Sequence, residues 1–142
     1  LAPRASGDIP AAGDGDGVGA GKYTVLCVED NPSSLKLVET IIERIPDTVM
    51  ISAHTGELGV DLAEIHRPNV ILMDIDLPGI DGYEALKRLK SSPATKHIPV
   101  IALTAKASRA DRNRGMEAGF KIYLTKPINV EEVESAVKEH LA

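Results

Sequence analysis

Five times between Tyr23 and Leu141 the chain pairs a short apolar run with a segment whose apolar residues recur at helical spacing. Runs such as Val70–Met73, apolar at every position, read as strands buried on both faces. Only a sheet covered by helices on each side buries both faces of every strand. This alternation predicts an α/β domain: a doubly wound, five-stranded parallel sheet with right-handed crossovers.

The first unit is a strand over Tyr23–Val28, followed by Asn31 as N-cap, Pro32 at the first helical position, and Leu35, Val38, Ile41, Ile42 and Ile45 on one face. Pro46-Asp47 ends that helix. Thr48–Ala53 reads as the second strand and Gly56–His66 as the second helix, with Leu58, Leu62 and Ile65 inward. The third strand, Val70–Met73, ends at Asp74 and leaves through a loop punctuated by Pro78, Gly79 and Gly82. Asp81 then caps a helix over Gly82–Lys90, with Glu84 completing a capping box. After a polar connection, Ser91–Lys96, come a strand over Pro99–Leu103 ending at Thr104, a helix over Ala107–Ala118 stopped by Gly119, and a strand over Lys121–Leu124. Asn129 with Glu132 opens a last helix striped by Val130, Val133, Val137 and Leu141. Five strands in a single domain of this size suit the flavodoxin-like (βα)5 order 2-1-3-4-5.

Residues 1–21 hold six of the twelve glycines, two prolines and few large apolar side chains, so they add little to a core and read as a flexible linker, with a reach of about 25 Å as a coil. The domain proper is expected over 22–142. Gly21-Lys22 resembles the end of a Walker phosphate loop, but Asp16 stands where the first glycine belongs, Tyr23 replaces the Ser or Thr, and the segment precedes a strand.

A net charge of −5, with no basic cluster in the sequence, argues against nucleic acid as a partner. No apolar run approaches the roughly 20 residues of a membrane span, and direct membrane contact is not expected. The single cysteine, Cys27, lies in an apolar run and reads as a small buried thiol. With no disulfide framework, a reducing, cytoplasmic setting is expected, even if a parent protein is membrane-anchored. His54, His66, His97 and His140 lack metal-ligand spacing.

In a parallel sheet the C-terminal ends of all strands share one edge, where ligands collect. That edge gathers Glu29 and Asp30 after the first strand, Asp74 after the third, Thr104 after the fourth and Lys126 after the fifth. Singly, an Asp after a strand is more often a turn or cap residue, as Asp81 is taken to be. Jointly, three carboxylates repel without a cation, and hard oxygen ligands that leave room for water and phosphate suit Mg²⁺. A carboxylate, Mg²⁺, an ammonium and a hydroxyl together suit phosphoryl transfer through an aspartyl phosphate. Asp74 would be the nucleophile, Glu29 and Asp30 would hold the metal, and Lys126 and Thr104 would meet phosphoryl oxygens.

Four segments in order, VEDN at Val28–Asn31, ILMDIDLPGIDG at Ile71–Gly82, PVIALTA at Pro99–Ala105 and YLTKP at Tyr123–Pro127, resemble the receiver domain of two-component response regulators. The resemblance spans Tyr23–Leu141. It implies that Asp74 takes a phosphoryl group from a sensor histidine kinase domain or a histidine phosphotransfer protein, and that the backbone carbonyl of Asp76 joins Glu29, Asp30 and Asp74 as a metal ligand. It also implies that Thr104 and Tyr123 form a switch pair, that the Lys126–Pro127 bond is cis, and that the output face is the fourth helix, fifth strand and fifth helix. Glu29 stands where the family more often has Asp. Asp76 and Lys106 occupy positions over the phosphoryl group that influence its hydrolysis. The linker-like leader and an end just past the last helix suit the C-terminal receiver of a hybrid sensor histidine kinase, with a stand-alone regulator as the alternative.

Two competing readings fit less well. Asp74-Ile75-Asp76 resembles the nucleophile motif of haloacid-dehalogenase-type phosphohydrolases, but the acidic pair here precedes the nucleophile instead of following the lysine. A calcium loop starting at Asp74 fails because Pro78 and Ala85 stand where ligands are needed.

Overall fold

The computed structural model describes residues 22–141, so the expected linker over 1–21 lies outside the described residues. Five strands, β1 (Tyr23–Val28), β2 (Thr48–Ala53), β3 (Val70–Met73), β4 (Val100–Thr104) and β5 (Ile122–Thr125), alternate with five helices. These are α1 (Pro32–Glu43), α2 (Gly56–His66), α3 (Gly82–Lys90), α4 (Arg109–Ala118) and α5 (Val130–Glu139). Every pair in the sheet is parallel, and the order is β2-β1-β3-β4-β5, the flavodoxin-like arrangement. Register places Val28 beside Ala53 and Met73, and Thr104 beside Thr125, so the strands end along one edge.

Within the apolar strands, alternate residues face opposite layers. Val25, Cys27, Val70, Leu72, Ile101 and Leu103 pack with Val38, Ile41 and Ile42 of α1 and Val133 and Val137 of α5. Leu26, Val28, Ile71, Met73, Val100 and Ala102 pack with Ala63 of α2, Ala85, Leu86 and Leu89 of α3, and Phe120. All four residues of β3 are fully buried, as a strand covered on both sides requires. Each such Leu or Ile contributes roughly 1.5–3 kcal/mol through removal from water. Cys27 is free and buried, and burial pushes its thiol far above the ordinary range, so it packs as an apolar group.

Every helix starts on a capping side chain, each stabilising by about 1 kcal/mol. Asn31, Thr55, Asp81, Ser108 and Asn129 accept hydrogen bonds from the amides of Ser34, Leu58, Glu84, Asp111 and Glu132. These caps turn the chain from strand end to helix at the functional edge, where the longest connection, residues 74–81, follows β3.

Four expectations need correction. Ile65 does not face inward but is 70% exposed. α2 seats on its small residues Gly56, Gly59 and Ala63, and a Cβ at Gly59 would lie 2.7 Å from Val28 Cγ2, so the helix approaches β1 along a line that leaves Ile65 on the far side. The reciprocal capping box lies on α4, where the Asp111 carboxylate also accepts the Ser108 amide, whereas Glu84 of α3 instead pairs with Arg88 at 3.1 Å. α4 accordingly begins at Arg109, two residues later than expected, because Ser108 caps it. The Ser91–Lys96 connection is not wholly polar surface: Thr95 is buried and donates its hydroxyl to the Leu89 carbonyl at 2.7 Å, closing the end of α3.

Candidate functional site

The strand ends converge as expected, and ladder bonds fix each one. The Glu29 amide donates to Ala53 O, that of Asp74 to Val28 O, and that of Lys126 to Thr104 O. Neighbouring strands thus hold the backbone of three charged residues to within about 0.1 Å of a normal hydrogen-bond length. The Lys126–Pro127 peptide is cis.

The Lys126 ammonium lies 2.8 Å from Glu29 Oε1 and 3.0 Å from Asp74 Oδ2, bridging two carboxylates that are almost entirely buried. Glu29 Oε2 accepts the Asn31 amide at 3.1 Å, and Asp74 Oδ1 accepts the Asp76 amide at 3.1 Å. Both carboxylates are therefore held at each oxygen. Asp30 is exposed, yet one carboxylate oxygen from each of Glu29, Asp30 and Asp74 lies within 4.8 Å of the others.

Two like charges at such a separation repel by roughly 3 kcal/mol at an effective dielectric constant near 20. Burial pushes the Glu29 carboxyl up, and Asp74 adds to the push, while the Lys126 hydrogen bond and the Asn31 amide hold it down. Burial alone would lower Lys126, but hydrogen bonds to Glu29 and Asp74 and their charges outweigh it and raise the ammonium, which stays protonated. Three carboxylates against one ammonium leave two negative charges, the balance a divalent cation meets. With oxygen donors only, the cluster fits a hard ion such as Mg²⁺.

Around this centre, Thr104 is fully buried and its hydroxyl oxygen accepts the Lys106 amide at 3.3 Å. Lys106 pairs with the Asp76 carboxylate at 3.6 Å, tying the loop after β4 to the loop after β3 across the mouth of the site. Tyr123 is turned inward, 6% exposed, and donates its hydroxyl to the Lys106 carbonyl at 2.8 Å. Burial pushes its phenol up to about 12.

Two neighbours, Gly115 and Arg112, had no signal in the sequence, and Gly82 was marked there only as a turn and helix start. A Cβ on Gly115 would stand 2.5 Å from two carbons of the Tyr123 ring, so the ring occupies the space that any larger residue of α4 would fill. Arg112 lies over the same ring, 5.8 Å from its centroid, and donates to the Tyr123 carbonyl at 3.4 Å. Gly82 opens α3 directly against the Asp74 carbonyl, which a Cβ would approach to 2.7 Å. The four histidines stay outside the cluster, and no helix among the described residues is long and apolar enough to cross a membrane.

Comparison with known proteins agrees with this geometry. Residues 25–138 match the response regulator receiver domain family. The polar-differentiation response regulator DivK of Brucella anthropi is 41% identical over 118 residues, a match that takes in 83% of this chain and 95% of DivK. Among solved structures, a response regulator from Chloroflexus aurantiacus superimposes with a TM-score of 0.77 at 32% identity, covering 82% of this chain and 95% of that one. The receiver domain of sensor histidine kinase PA1611 from Pseudomonas aeruginosa, with a magnesium ion coordinated in its active-site cleft, gives a TM-score of 0.77 at 33% identity, covering 85% and 98%.

Proposed function

Because this chain belongs to the response regulator receiver domain family of two-component signalling, we propose that it is a phosphorylation-controlled switch whose phosphoacceptor is Asp74. The observation that carries the reading is Asp74 itself: a buried carboxylate at a strand end, held at Oδ2 by Lys126 and at Oδ1 by the Asp76 amide, beside two further acids.

Glu29, Asp30 and Asp74 would hold Mg²⁺ together with the backbone carbonyl of Asp76. Bound there, Mg²⁺ supplies neutralisation of charge on the transferring phosphoryl group. The chain's own residues do the rest. An Asp74 carboxylate oxygen attacks phosphorus in line, forming the acyl phosphate P–O bond as the P–N bond of the donor phosphohistidine breaks and the departing imidazole keeps the bonding pair. Lys126 sits where it can leave Glu29 for a phosphoryl oxygen, and Thr104 has a hydroxyl that can donate to another. The donor is a sensor histidine kinase domain or a histidine phosphotransfer protein. A shallow hollow lined by Ser33, Ser34, Leu37, Pro127 and Ile128 adjoins Lys126.

Phosphorylation then shifts a two-state equilibrium, because the new contacts of Thr104 and Lys126 exist in only one state. Moving from 1:99 to 99:1 takes roughly 5.5 kcal/mol, within the range of a few charge-assisted bonds. Thr104 and Tyr123 form the switch pair, and α4, β5 and α5 form the output face. The setting is cytoplasmic.

Two contexts each have support. The match to 95% of DivK favours a stand-alone regulator. The composition of residues 1–21 and the likeness to a sensor histidine kinase receiver favour the receiver of a hybrid kinase, joined through a linker to the domain beginning at residue 22. An antibody to this domain, used on its source cells, separates them: a band of single-domain size means a stand-alone regulator, and one several times larger a hybrid.

Transfer from a phosphorylated histidine phosphotransfer protein tests the function. One phosphoryl group should move to the wild-type chain and none to Asp74→Asn. Equal transfer to both would remove Asp74 from the role.

A further inference from the structure

We propose that Glu57 is a positioning residue for the loop between β3 and α3, holding its tip from the first turn of α2 and thereby fixing the Asp76 peptide against Asp74. The inference rests on the reading of Asp74 as phosphoacceptor and of the Asp76 carbonyl as a metal ligand.

That loop is closed at its base by the chain itself, with the amides of Leu77 and Gly82 both donating to the Ile75 carbonyl. Its tip has no such internal support. Pro78 carries no N–H, Gly79 turns through a positive φ of 76°, and the Ile80 amide finds its acceptor 23 residues away, at Glu57 Oε2, 3.3 Å distant. The contact is close on a second side as well. A Cβ on Gly79 would stand 2.7 and 2.8 Å from the two Glu57 carboxylate oxygens, and one on Gly56 would stand 2.7 Å from Ile80 Cγ1 and 2.9 Å from the Ile80 carbonyl. Two consecutive residues of α2 thus meet two consecutive residues of the loop tip, with glycine on each side of the seam.

Glu57 is suited to the task because its backbone is fixed in a capped first turn, although its side chain is exposed. Thr55 caps α2 by accepting the Leu58 amide, and an acidic side chain in a first helical turn is favoured by the helix dipole. A carboxylate acceptor also makes a stronger bond to an amide than a neutral one. Asp76 is the middle residue of the turn that the Leu77 amide closes on the Ile75 carbonyl, and only Leu77 and Pro78 separate it from the held tip. Its amide engages Asp74 Oδ1 and its carboxylate engages Lys106, so a tip free to move would disturb the Asp76 peptide and the metal ligand it supplies.

The test compares wild-type, Glu57→Gln and Glu57→Ala proteins, all checked for folding by thermal unfolding. Mg²⁺ affinity is measured by calorimetry, and the rate of phosphorylation by acetyl phosphate is followed across a Mg²⁺ titration. Loss of one such bond corresponds to about a fivefold change. Glu57→Ala should therefore weaken Mg²⁺ by up to about fivefold while the rate at saturating Mg²⁺ stays within about twofold, and Glu57→Gln, which keeps an acceptor oxygen, should restore most of the affinity. Unchanged Mg²⁺ affinity in Glu57→Ala, or equal weakening in both variants, would overturn the proposal. If wild type binds Mg²⁺ but neither takes a phosphoryl group nor binds beryllofluoride, the phosphoacceptor reading falls and the calorimetry still decides the role of Glu57. If wild type binds no Mg²⁺, both fall.

Discussion

Lys126 and Glu29, almost a hundred residues apart in sequence, meet at 2.8 Å with Glu29 only 2% exposed, and the same ammonium reaches Asp74 at 3.0 Å. Without a metal, Lys126 is the charge that makes two buried carboxylates tolerable. Lys126→Met should destabilise the metal-free domain by roughly 2 kcal/mol, less than a fully buried pair because the lysine side chain keeps 20% exposure. Mg²⁺ should raise the unfolding midpoint more in this variant than in wild type, since the cation no longer competes with an ammonium for Glu29 and Asp74. Urea unfolding with and without Mg²⁺ checks both.

Gly115 exists as glycine for the sake of Tyr123. Gly115→Ala drives a methyl group to 2.5 Å from the ring and should cost about 1–3 kcal/mol as the ring or α4 shifts. In a Tyr123→Ala background the obstacle is gone. There the same substitution should stabilise by up to about 1 kcal/mol through helix propensity. A double-mutant cycle from denaturant unfolding measures the coupling.

Tyr123 should ionise later than an ordinary tyrosine. Its phenol is raised by burial to about 12, above the ordinary value near 10, so the native state holds that proton more tightly than the unfolded state does. The stability linked to it is complete below about pH 10 and is lost as pH rises through about 12. Tyr123→Phe should remove a step near pH 12 from a spectrophotometric titration.

Ile65 offers a control for the packing account. At 70% exposure it contributes little burial, so Ile65→Lys should change stability by less than about 0.5 kcal/mol. Ile41→Ala, in the α1 layer of the core, should cost about 2–5 kcal/mol. Chemical denaturation of the two variants separates the faces.

The same residue marks a limit of reading structure from spacing. Leu58, Leu62 and Ile65 follow a helical interval, and Leu58 and Leu62 do pack on the core, but α2 seats on Gly56, Gly59 and Ala63, and small residues give no hydrophobic signal. By contrast, strand order aside, which rested on what five-stranded domains of this size commonly adopt, the strands and the helix caps at Asn31, Asp81 and Asn129 were legible. They rest on local chemistry: unbroken apolar runs, Pro32 at a helix start, polar side chains that accept an amide three residues on. At the site, the convergence of Glu29, Asp30, Asp74, Thr104 and Lys126 followed from topology, because parallel strands end on one edge. What topology cannot supply is which atom meets which. The double engagement of Lys126, the Lys106–Asp76 pair and the seat of Tyr123 on Gly115 depend on side-chain reach between separate loops.

Metal-dependent phosphorylation of Asp74 is tested most directly by intact mass after incubation with Mg²⁺ and acetyl phosphate. One phosphoryl adduct is expected on the wild-type chain, none on Asp74→Asn, and none when EDTA removes the metal. An Asp74→Asn protein that gains the adduct, or a folded wild-type chain that binds Mg²⁺ yet gains none and does not bind beryllofluoride, would contradict that role of Asp74.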